Sequence, residues 1–334
     1  MTRIGKQTIG LDNRPVIIQT ASIVGPKEAQ GPMAGYFDHC LEDEFWGEKT
    51  WEKAESKIIK ETVNLAISKS GISSSAIDFC FAGDLLNQCI SSSFGLRDAN
   101  IPFFGVFGAC STFVESMTLG SIFIESGAAN NVICATSSHF CSAEKQFRFP
   151  LELGNQRPPT SQWTVTGSGC SILSSSGEGP CITHVTPGKI VDMGIKDANN
   201  MGAAMAPAAF DTLMAHFEDT GRKPSDYDAI VTGDLGYIGK DILEDLCKTK
   251  GYNISHNYDD CGVLMFDKLE QDTHSGGSGC ACIATIFSGY FYKQLQERKI
   301  KKLLLIATGA LMNSTSSQQG ESIPGIAHAI AIES

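Results

Sequence analysis

The sequence lacks the features that would place it in a membrane or in an oxidising compartment. No stretch approaches the roughly 18 uninterrupted apolar residues that a membrane helix needs. Residues Met1 to Asp12 contain no apolar core of signal-peptide length. Twelve cysteines without such a segment indicate free thiols in a reducing compartment. We therefore expect a soluble chain that is cytoplasmic or reaches a membrane surface only through a partner.

Metal-ligand patterns and positive charge are also scarce. There is no C-x-x-C pair, and the small apolar neighbours of Cys280 and Cys282 suit packing better than zinc, so no metal site is predicted. The 26 Lys and Arg face 37 Asp and Glu, a formal net charge of −11. Nucleic acid is excluded as a partner, because phosphate contacts need clustered basic residues.

What the sequence does contain is a repeat. The segment Asp78 to Leu85 matches Asp228 to Leu235 at an offset of 150 residues, which also places Gly71 on Gly221. A second offset, of 172, places Cys110 on Cys282, Glu125 on Glu297 and Ala135-Thr136 on Ala307-Thr308. We interpret the chain as a tandem duplication of one α/β half, with an N-terminal half over 1–180, which includes a covering excursion at 141–166, and a C-terminal half over 181–334.

Hydrophobic periodicity predicts the same order of elements in both halves. Helices are expected at 51–70, 111–126, 208–219 and 281–296, and strands at 77–82, 132–135, 229–231 and 303–307. Alternating helices and short apolar runs favour an α/β fold with covered sheets. We expect five layers, in which two sheets are separated by the helices that follow Cys110 and Cys280. Polar excursions interrupt the pattern at 141–166 and 192–207.

Cys110 is the strongest candidate for chemistry. The segment Phe107 to Thr112 places this cysteine between an apolar strand and a helix of small residues. The positive end of a helix dipole would lower the pKa of the thiol and make it nucleophilic. The alternative is a buried cysteine that packs as a small hydrophobic side chain.

A duplicated α/β half with Gly-Ala-Cys-Ser at the start of a small-residue helix resembles the thiolase and ketoacyl-synthase superfamily. The resemblance implies a thiolase-like five-layered fold and makes Cys110 the acyl nucleophile. It also implies a homodimer, since such proteins pair through a central sheet edge.

A closer resemblance is to the stage V sporulation protein AD family. It is carried by Gly25-Pro-Lys-Glu, Ala82-Gly-Asp-Leu-Leu-Asn-Gln88, Phe107-Gly-Ala-Cys-Ser-Thr112, Thr136-Ser-Ser-His139, Ala143-Glu-Lys-Gln-Phe-Arg148, Thr164-Val-Thr-Gly-Ser-Gly169, Met205-Ala-Pro-Ala-Ala209, Gly276-Gly-Ser-Gly-Cys280 and Glu321-Ser-Ile-Pro324. The resemblance implies binding of dipicolinic acid, free or as its calcium chelate, for uptake into the developing spore. It also implies association with integral membrane proteins of the same operon, and a location in the cytoplasm or peripherally at the spore inner membrane.

The residues expected to assist Cys110 in condensation are not all present. In the ketoacyl-synthase pattern that this chain resembles, a catalytic histidine follows the strand that corresponds to residues 229–231. This sequence reads Thr232-Gly-Asp234 at that place and has no histidine there. In the glycine-rich turn at 272–279, Thr273 rather than His274 lies in register with the thiolase histidine. We therefore expect a degenerate, non-catalytic site with no cofactor. The alternatives are an acyltransferase that uses Cys110 with unusual partners, and a purely structural subunit of a channel.

Dipicolinate is a flat dianion that needs N–H donors and a basic side chain. The candidates for its site come from the helix start, from the strand end near residue 138, and from the two repeat-related acids: Cys110, Ser111, Asp84, Ser138, His139, Arg148 and Asp234. The net charge repels a free dianion but not a neutral calcium chelate, whose metal the two acids could approach. The alternatives are helix caps for the acids, a hydrogen-bonded loop residue for His139 and a structural ion pair for Arg148.

Overall fold

A computed structural model describes residues 1–147 and 157–334 of the chain. The described strands are β1 (Thr2–Ile4), β2 (Thr8–Gly10), β3 (Val16–Val24), β4 (His39–Cys40), β5 (Phe79–Gly83), β6 (Phe103–Gly105), β7 (Asn131–Ser138), β8 (Trp163–Thr164), β9 (Gly167–Ser174), β10 (Cys181–Thr186), β11 (Ala229–Thr232), β12 (Tyr258–Asp260), β13 (Gly277–Ser278), β14 (Lys302–Ala310) and β15 (Gly325–Glu333). The helices are α1 (Trp51–Ser70), α2 (Ile90–Leu96), α3 (Thr112–Glu125), α4 (Phe140–Phe147), α5 (Met201–Thr220), α6 (Gly236–Thr249), α7 (Cys261–Met265), α8 (Cys280–Ile286), α9 (Tyr292–Gln296) and α10 (Ser314–Gln318).

The main sheet consists of two segments with the same strand order. One runs β6-β5-β7-β9-β3 and the other runs β12-β11-β14-β15-β10. In each segment the first three strands are parallel and the remaining pairs are antiparallel. The two segments meet at a single antiparallel pairing between Cys181 and Val16. The repeat seen in the sequence is thus a repeat of topology.

The outer helices α1 and α5 repeat most closely. Both are 20 residues long, and both end at a glycine in the left-handed region, Gly71 at φ 71° and Gly221 at φ 69°. Both begin at a capping side chain: Thr50 accepts a hydrogen bond from the N–H of Lys53, and Asn200 accepts one from the N–H three residues further on.

The start predicted for the helix at 208–219 is wrong. Helix α5 begins at Met201, so residues 202–206, mostly glycine and alanine, form its first turns and Pro207 lies inside it. The cap at Asn200 fixes this start, although the small-residue run has no apolar periodicity that would reveal a helix.

The helices form layers on and between the sheet segments. Helix α3 contacts β5, β7 and β9 of one segment and β14 and β15 of the other, whereas α1 and α5 cover the outer faces. Every residue of α8 is buried, and α8 continues through one π turn (Phe287–Phe291) into α9. The five-layered α/β fold is therefore confirmed. The division into halves at 180/181 stays a prediction; β2, which lies outside both segments but in the N-terminal part of the sequence, pairs with β10.

The excursion expected at 141–166 is only partly irregular. Its beginning belongs to α4 and its end to β8, which pairs with β13. Arg148 lies outside the described residues. Within the described ranges, no helix is both long enough and apolar enough to cross a membrane.

Candidate functional site

Cys110 lies just before α3, where the backbone of one half approaches the other. Ala109 has a φ of 52°, which turns the chain sharply into the helix. A Cβ on Gly309 would collide with the carbonyl oxygen of Gly108, so this approach requires glycine at position 309. The Cys110 side chain is 6% exposed and belongs to a buried cluster with Leu85, Ala143 and Cys280. The sequence therefore located the cysteine correctly, but the structure buries it.

Asp234 is the acidic residue next to Cys110. The Cys110 Sγ lies 3.8 Å from Ser278 Oγ, which donates to Asp234 Oδ2 at 2.8 Å. Thr308 Oγ1 donates to Asp234 Oδ1 at 2.7 Å, and the N–H of Gly279 donates to Oδ2 at 3.1 Å. These contacts bring together segments that are far apart in sequence. Ser278 and Thr308 were missed in the sequence, because neither belongs to a motif with a known spacing from Cys110.

The two repeat-related acids have different roles. Asp84 accepts hydrogen bonds from the N–H of Leu86 at 2.9 Å, and from the N–H and hydroxyl of Ser92 at 2.7 and 2.6 Å. It thus stabilises the start of α2, as the capping alternative predicts. Asp234 does not cap α6, because the N–H groups of Leu235 and Gly236 donate to Asp260.

Glu55 is a buried acid that the sequence interpretation missed. Its carboxylate accepts the Ser137 hydroxyl at 3.1 Å and the Ser142 hydroxyl at 2.6 Å. Burial, and then the nearby Asp84 carboxylate, raise the pKa of Glu55 to about 8. The signal in the sequence was a glutamate on the apolar face of α1, between Ala54 and Ile58.

The other candidate ligands are held by the protein itself. Ser138 Oγ donates to the carbonyl of Val165 at 2.7 Å, and Ser111 Oγ donates to that of Gly108 at 2.7 Å. His139 is fully buried; its Nδ1 accepts from the N–H of Cys141 at 3.2 Å, so Nε2 donates to the carbonyl of Glu44 at 2.9 Å. Burial lowers the pKa of His139. This geometry matches the hydrogen-bonded structural alternative for His139.

His274 lies at the surface of the glycine-rich turn. Its Nδ1 is 2.7 Å from the carbonyl oxygen of Pro158, and its Nε2 is 3.1 Å from Asp272 Oδ1. Its backbone φ of 54° is left-handed. None of its hydrogen bonds reaches Cys110.

A cleft of about 310 Å³ opens beside the Cys110 cluster. Leu85 belongs both to the cluster and to the cleft wall. Among the described residues the wall has apolar and uncharged polar side chains and no charged one: Leu85, Leu86, Asn87, Gln88, Phe107, Gln146, Leu311, Met312, Asn313 and Ser314. Four of these residues are carboxamides, which both donate and accept hydrogen bonds.

Comparison with known proteins identifies the family. The profile of the Stage V sporulation protein AD (SpoVAD) family matches residues 5–333. The Stage V sporulation protein AD of Bacillus subtilis (strain 168) is 42% identical over 334 residues, which is 100% of this chain and 98% of that protein. The chain belongs to the stage V sporulation protein AD family.

Solved structures that resemble this SpoVAD family member support the fold assignment. A variant of Xanthomonas campestris OleA superposes with a TM-score of 0.63 at 13% identity, covering 100% of both chains. The 3-oxoacyl-[acyl-carrier-protein] synthase III of Aquifex aeolicus VF5 gives 0.57 at 12% identity, covering 96% of this chain and 100% of that one. At this identity the likeness shows the fold alone. Membership of the SpoVAD family supports a role in sporulation.

The chemistry available to Cys110 of this SpoVAD family member differs from the sequence expectation. Burial first, and then the Asp234 carboxylate, raise the pKa of the Cys110 thiol well above its ordinary value. The expected lowering by the helix dipole is therefore wrong, because desolvation and a nearby carboxylate both favour the neutral thiol. Burial also raises the pKa of Asp234, against the hydrogen bonds from Thr308, Cys110 and Ser278. Cys110 rests as a protonated thiol beside a carboxyl group.

Proposed function

We propose that the chain binds dipicolinic acid, free or as its calcium chelate, without turning it over. In this proposal it is a subunit of a transport assembly that carries the compound into the developing spore, together with integral membrane proteins of the same operon at the spore inner membrane. The observation that carries the non-catalytic part is the pairing of a buried, protonated Cys110 with Asp234. A condensing enzyme needs a thiolate and histidine partners at that place.

The cleft beside Cys110 supports binding of a small polar ligand. Its volume of about 310 Å³ lies at the lower end of the range for small-molecule pockets. Phe107 and Leu85 offer apolar surface for a flat ring, and the amides of Asn87, Gln88 and Asn313 can donate to carboxylates. Arg148, the next residue in sequence after the described part of α4, is our proposed source of positive charge.

Calcium, where it accompanies the ligand, would not be held by the two acids. The oxygens of Asp84 and Asp234 already accept hydrogen bonds from the protein. Among the described residues, no group of three His, Cys, Asp or Glu side chains could hold a metal ion. Amide and hydroxyl oxygens of the cleft are the neutral ligands that remain, and calcium accepts such oxygens.

The test is calorimetric titration of the purified chain with dipicolinate, with and without calcium. We expect one saturable site and a loss of about 1.5–3 kcal/mol of binding free energy in Arg148→Ala, if a charged hydrogen bond is lost. Cys110→Ala should weaken binding only modestly, because it changes shape rather than charge. Lys250→Ala, at an exposed cation that follows α6 and does not line the cleft, is the matched control.

The same purified chain distinguishes the two alternatives, an acyltransferase and a purely structural subunit. Steady turnover of acetoacetyl or malonyl thioesters that Cys110→Ala abolishes would establish an acyltransferase and contradict the proposal. No binding of either form of dipicolinate, with the fold intact, would favour a purely structural subunit.

We also propose that the chain forms a homodimer through β6. This strand ends one side of the sheet and pairs only with β5 among the described strands. All three of its residues are exposed, with Phe103 at 38% and Phe104 at 44%. An open apolar edge strand favours pairing with a second copy, and a two-fold axis would satisfy both edges.

A further inference from the structure

The first observation is a pair of buried carboxyl groups next to the wall of the cleft. Glu55 of α1 and Asp84, which follows β5, are both fully buried, and the charge of Asp84 acts on Glu55. Among the described residues, the hydrogen bonds that the two acids accept come from N–H groups and serine hydroxyls, and none comes from a cation. Two carboxylates buried together without a cation repel each other, so one of them keeps a proton.

The partners of Asp84 favour its charged form. Its carboxylate accepts the N–H groups of Leu86 and Ser92, and also the Ser92 hydroxyl. An N–H group can only donate, so these bonds need lone pairs and stabilise a carboxylate. Asp84 is therefore the member of the pair that loses its proton first.

The partners of Glu55 accommodate a proton. The hydroxyls of Ser137 and Ser142 lie 3.1 and 2.6 Å from its carboxyl oxygens, and a hydroxyl can accept as well as donate. Ser142 Oγ also lies 3.1 Å from the carbonyl oxygen of His139. Ser142 can thus accept a bond from protonated Glu55 while it donates to His139. The shared proton therefore belongs to Glu55.

The second observation is that the pair contacts two segments of the cleft wall. Asp84 accepts the N–H of Leu86, which lines the cleft. Glu55 bonds Ser142 of α4, and Gln146, four residues further along that helix, lines the cleft from the same face. A change of charge in the pair therefore acts on both segments.

Other titratable groups near Glu55 keep their charge where it titrates. Strands and helices that pack on α1 include β3 and α2, which have no titratable side chain, and β7, whose Cys134 points towards α3 and contacts Ser116. Burial lowers the pKa of His139, which is neutral. The remaining groups are thiols whose pKa burial raises above the ordinary value: Cys80, Cys89, Cys110, Cys170 and Cys280.

Helix α4 adds Glu144, which is buried, and Lys145, which is paired with Glu52 at 2.9 Å. Burial and the charge of Asp84 raise the pKa of Glu55 to about 8. Glu55 is thus the member of the pair that changes its charge between about pH 7 and 9.

From this arrangement we propose that the proton on Glu55 regulates ligand binding in the cleft beside Cys110. The inference rests on the proposed function, because it names the regulation of that same site. With the proton, the pair carries one negative charge and connects the two wall segments. Without it, two buried carboxylates repel each other beside the wall and add negative charge near a dianionic ligand. Glu55 does not line the cleft, so it is a positioning residue that acts through Ser142 and Asp84.

The test is the affinity of the full chain for free dipicolinate, without calcium, at pH 7 and pH 9. Carboxyl groups titrate near pH 4, so the charge of the ligand is constant over this range. If only the chain with protonated Glu55 binds, the competent fraction falls from about 0.9 to about 0.1, and the apparent affinity in calorimetry falls about tenfold.

Two variants locate the effect. Glu55→Gln is uncharged at every pH and should retain at pH 9 the affinity that it has at pH 7. The matched control is Glu28→Gln, because Glu28 is also a buried acid, with a pKa that burial raises to about 7, but it accepts the N–H of Thr166 and does not line the cleft. It should keep the tenfold fall of the parent.

Proton uptake tests the parent chain without a variant. At about pH 8 half of the chains carry the proton on Glu55, so binding should take up about half a proton for each ligand. Calorimetry in two buffers with different ionisation enthalpies measures this number. Binding without proton uptake would overturn the inference.

Hydrogen exchange of the ligand-free chain separates this inference from the proposed function. After correction for the intrinsic rate, the amides of residues 85–92 and 140–147 should lose protection between pH 7 and 9 in the parent and keep it in Glu55→Gln. If dipicolinate binds at neither pH, the proposed function is contradicted, and equal protection at both pH values would then overturn the inference as well. Dipicolinate binding of equal affinity at both pH values, or a tenfold fall that persists in Glu55→Gln, would overturn the inference and leave the proposed function standing.

Discussion

Burial and one nearby carboxyl group decide the chemical state of the cysteine at the centre of this fold. The start of a helix would favour a thiolate at Cys110, but burial and Asp234 act in the opposite direction and are larger. The motif in the sequence located Cys110 but could not reveal its protonation state. That state depends on Asp234, Ser278 and Thr308, which are brought to the thiol only by the folded sheet.

We predict that Asp234→Asn makes Cys110 more reactive. Removing the carboxylate removes a cause that raises the pKa of the thiol, so the pKa falls and the thiolate fraction at neutral pH rises. A fall of about one pKa unit gives about a tenfold faster alkylation, since each unit is a factor of about ten in thiolate. The measurement is the rate of iodoacetamide labelling of Cys110, followed by peptide mass spectrometry.

The matched control for this experiment is Glu55→Gln. Glu55 lies near Cys280 and Asp84, and it is not among the largest causes of the shift in the pKa of Cys110. Its replacement should leave the labelling rate of Cys110 unchanged. Equal rates in the parent and in Asp234→Asn, with the fold intact, would show that Asp234 does not hold the thiol neutral.

The turn that precedes α2 is the most strained element at the cleft. Gln88 and Cys89 are consecutive residues with φ of 56° and 52°, although neither is glycine. Gln88 is exposed in the cleft wall, whereas Cys89 is buried and its Sγ lies 3.4 Å from the carbonyl oxygen of Val106. Non-glycine residues in such conformations are held by the surrounding structure and are frequent at functional sites.

We predict that Gln88→Gly increases the free energy of unfolding by about 0.5–1 kcal/mol, because glycine adopts a positive φ without steric strain. Asn87→Gly, at the neighbouring position in the same wall, is the control and should decrease it, because Asn87 does not have a positive φ and glycine there only adds freedom to the unfolded chain. Urea denaturation of the three proteins checks both signs. Destabilisation in both variants would show that the Gln88 side chain stabilises the turn by more than its backbone strain costs.

A helix or strand could be predicted from the sequence only where its own residues carry an apolar period or a recognisable end signal. The apolar period of α1, 20 residues long, and its terminal Gly71 gave both ends of that helix. The start of α5 was missed because four of the residues 202–206 are glycine or alanine, which carry no clear apolar period, and because Pro207 is disfavoured inside a helix. Strands such as β8 and β13 have two residues each, too few to carry a period, and form only because they meet each other.

At the scale of the whole molecule, buried titratable groups make stability depend on pH. Burial raises the pKa of Glu28 and Asp260 to about 7 and, together with Asp84, that of Glu55 to about 8. Each of these folded-state values lies above the unfolded value, so the stability they contribute is fully present below about pH 4 and is lost as the pH rises through the folded values. Buried histidines have the opposite effect: the pKa of His216 falls to about 3 and that of His184 to about 4.

Below about pH 6.5 the effects of the carboxyls and of the histidines on stability partly cancel. Above that pH only the carboxyls make stability change with pH. Histidine pKa values below the unfolded value of about 6.5 make stability rise with pH up to that point. Between about pH 6.5 and 8 we therefore expect the free energy of unfolding to fall by about 1–3 kcal/mol. Each carboxyl that is still protonated in the folded state contributes a fall of about 1.4 kcal/mol per pH unit. Denaturant unfolding at both pH values measures it. Glu55→Gln should reduce the loss and Glu61→Gln, on the same helix, should not; a flat profile would contradict the pKa values.

The open edge at β6 is the surface through which we propose that two molecules pair. An isologous contact repeats every change in both copies, so a charge placed there is buried twice. Phe103 is exposed on β6 and has no ring partner among the described residues. We expect Phe103→Asp to weaken dimerisation by at least about tenfold, or about 1.4 kcal/mol, in sedimentation equilibrium. Phe94→Asp, on α2, removes another exposed phenylalanine and should leave the dimer unchanged. A parent chain that sediments as a monomer at micromolar concentration would exclude the β6 edge as a dimer contact.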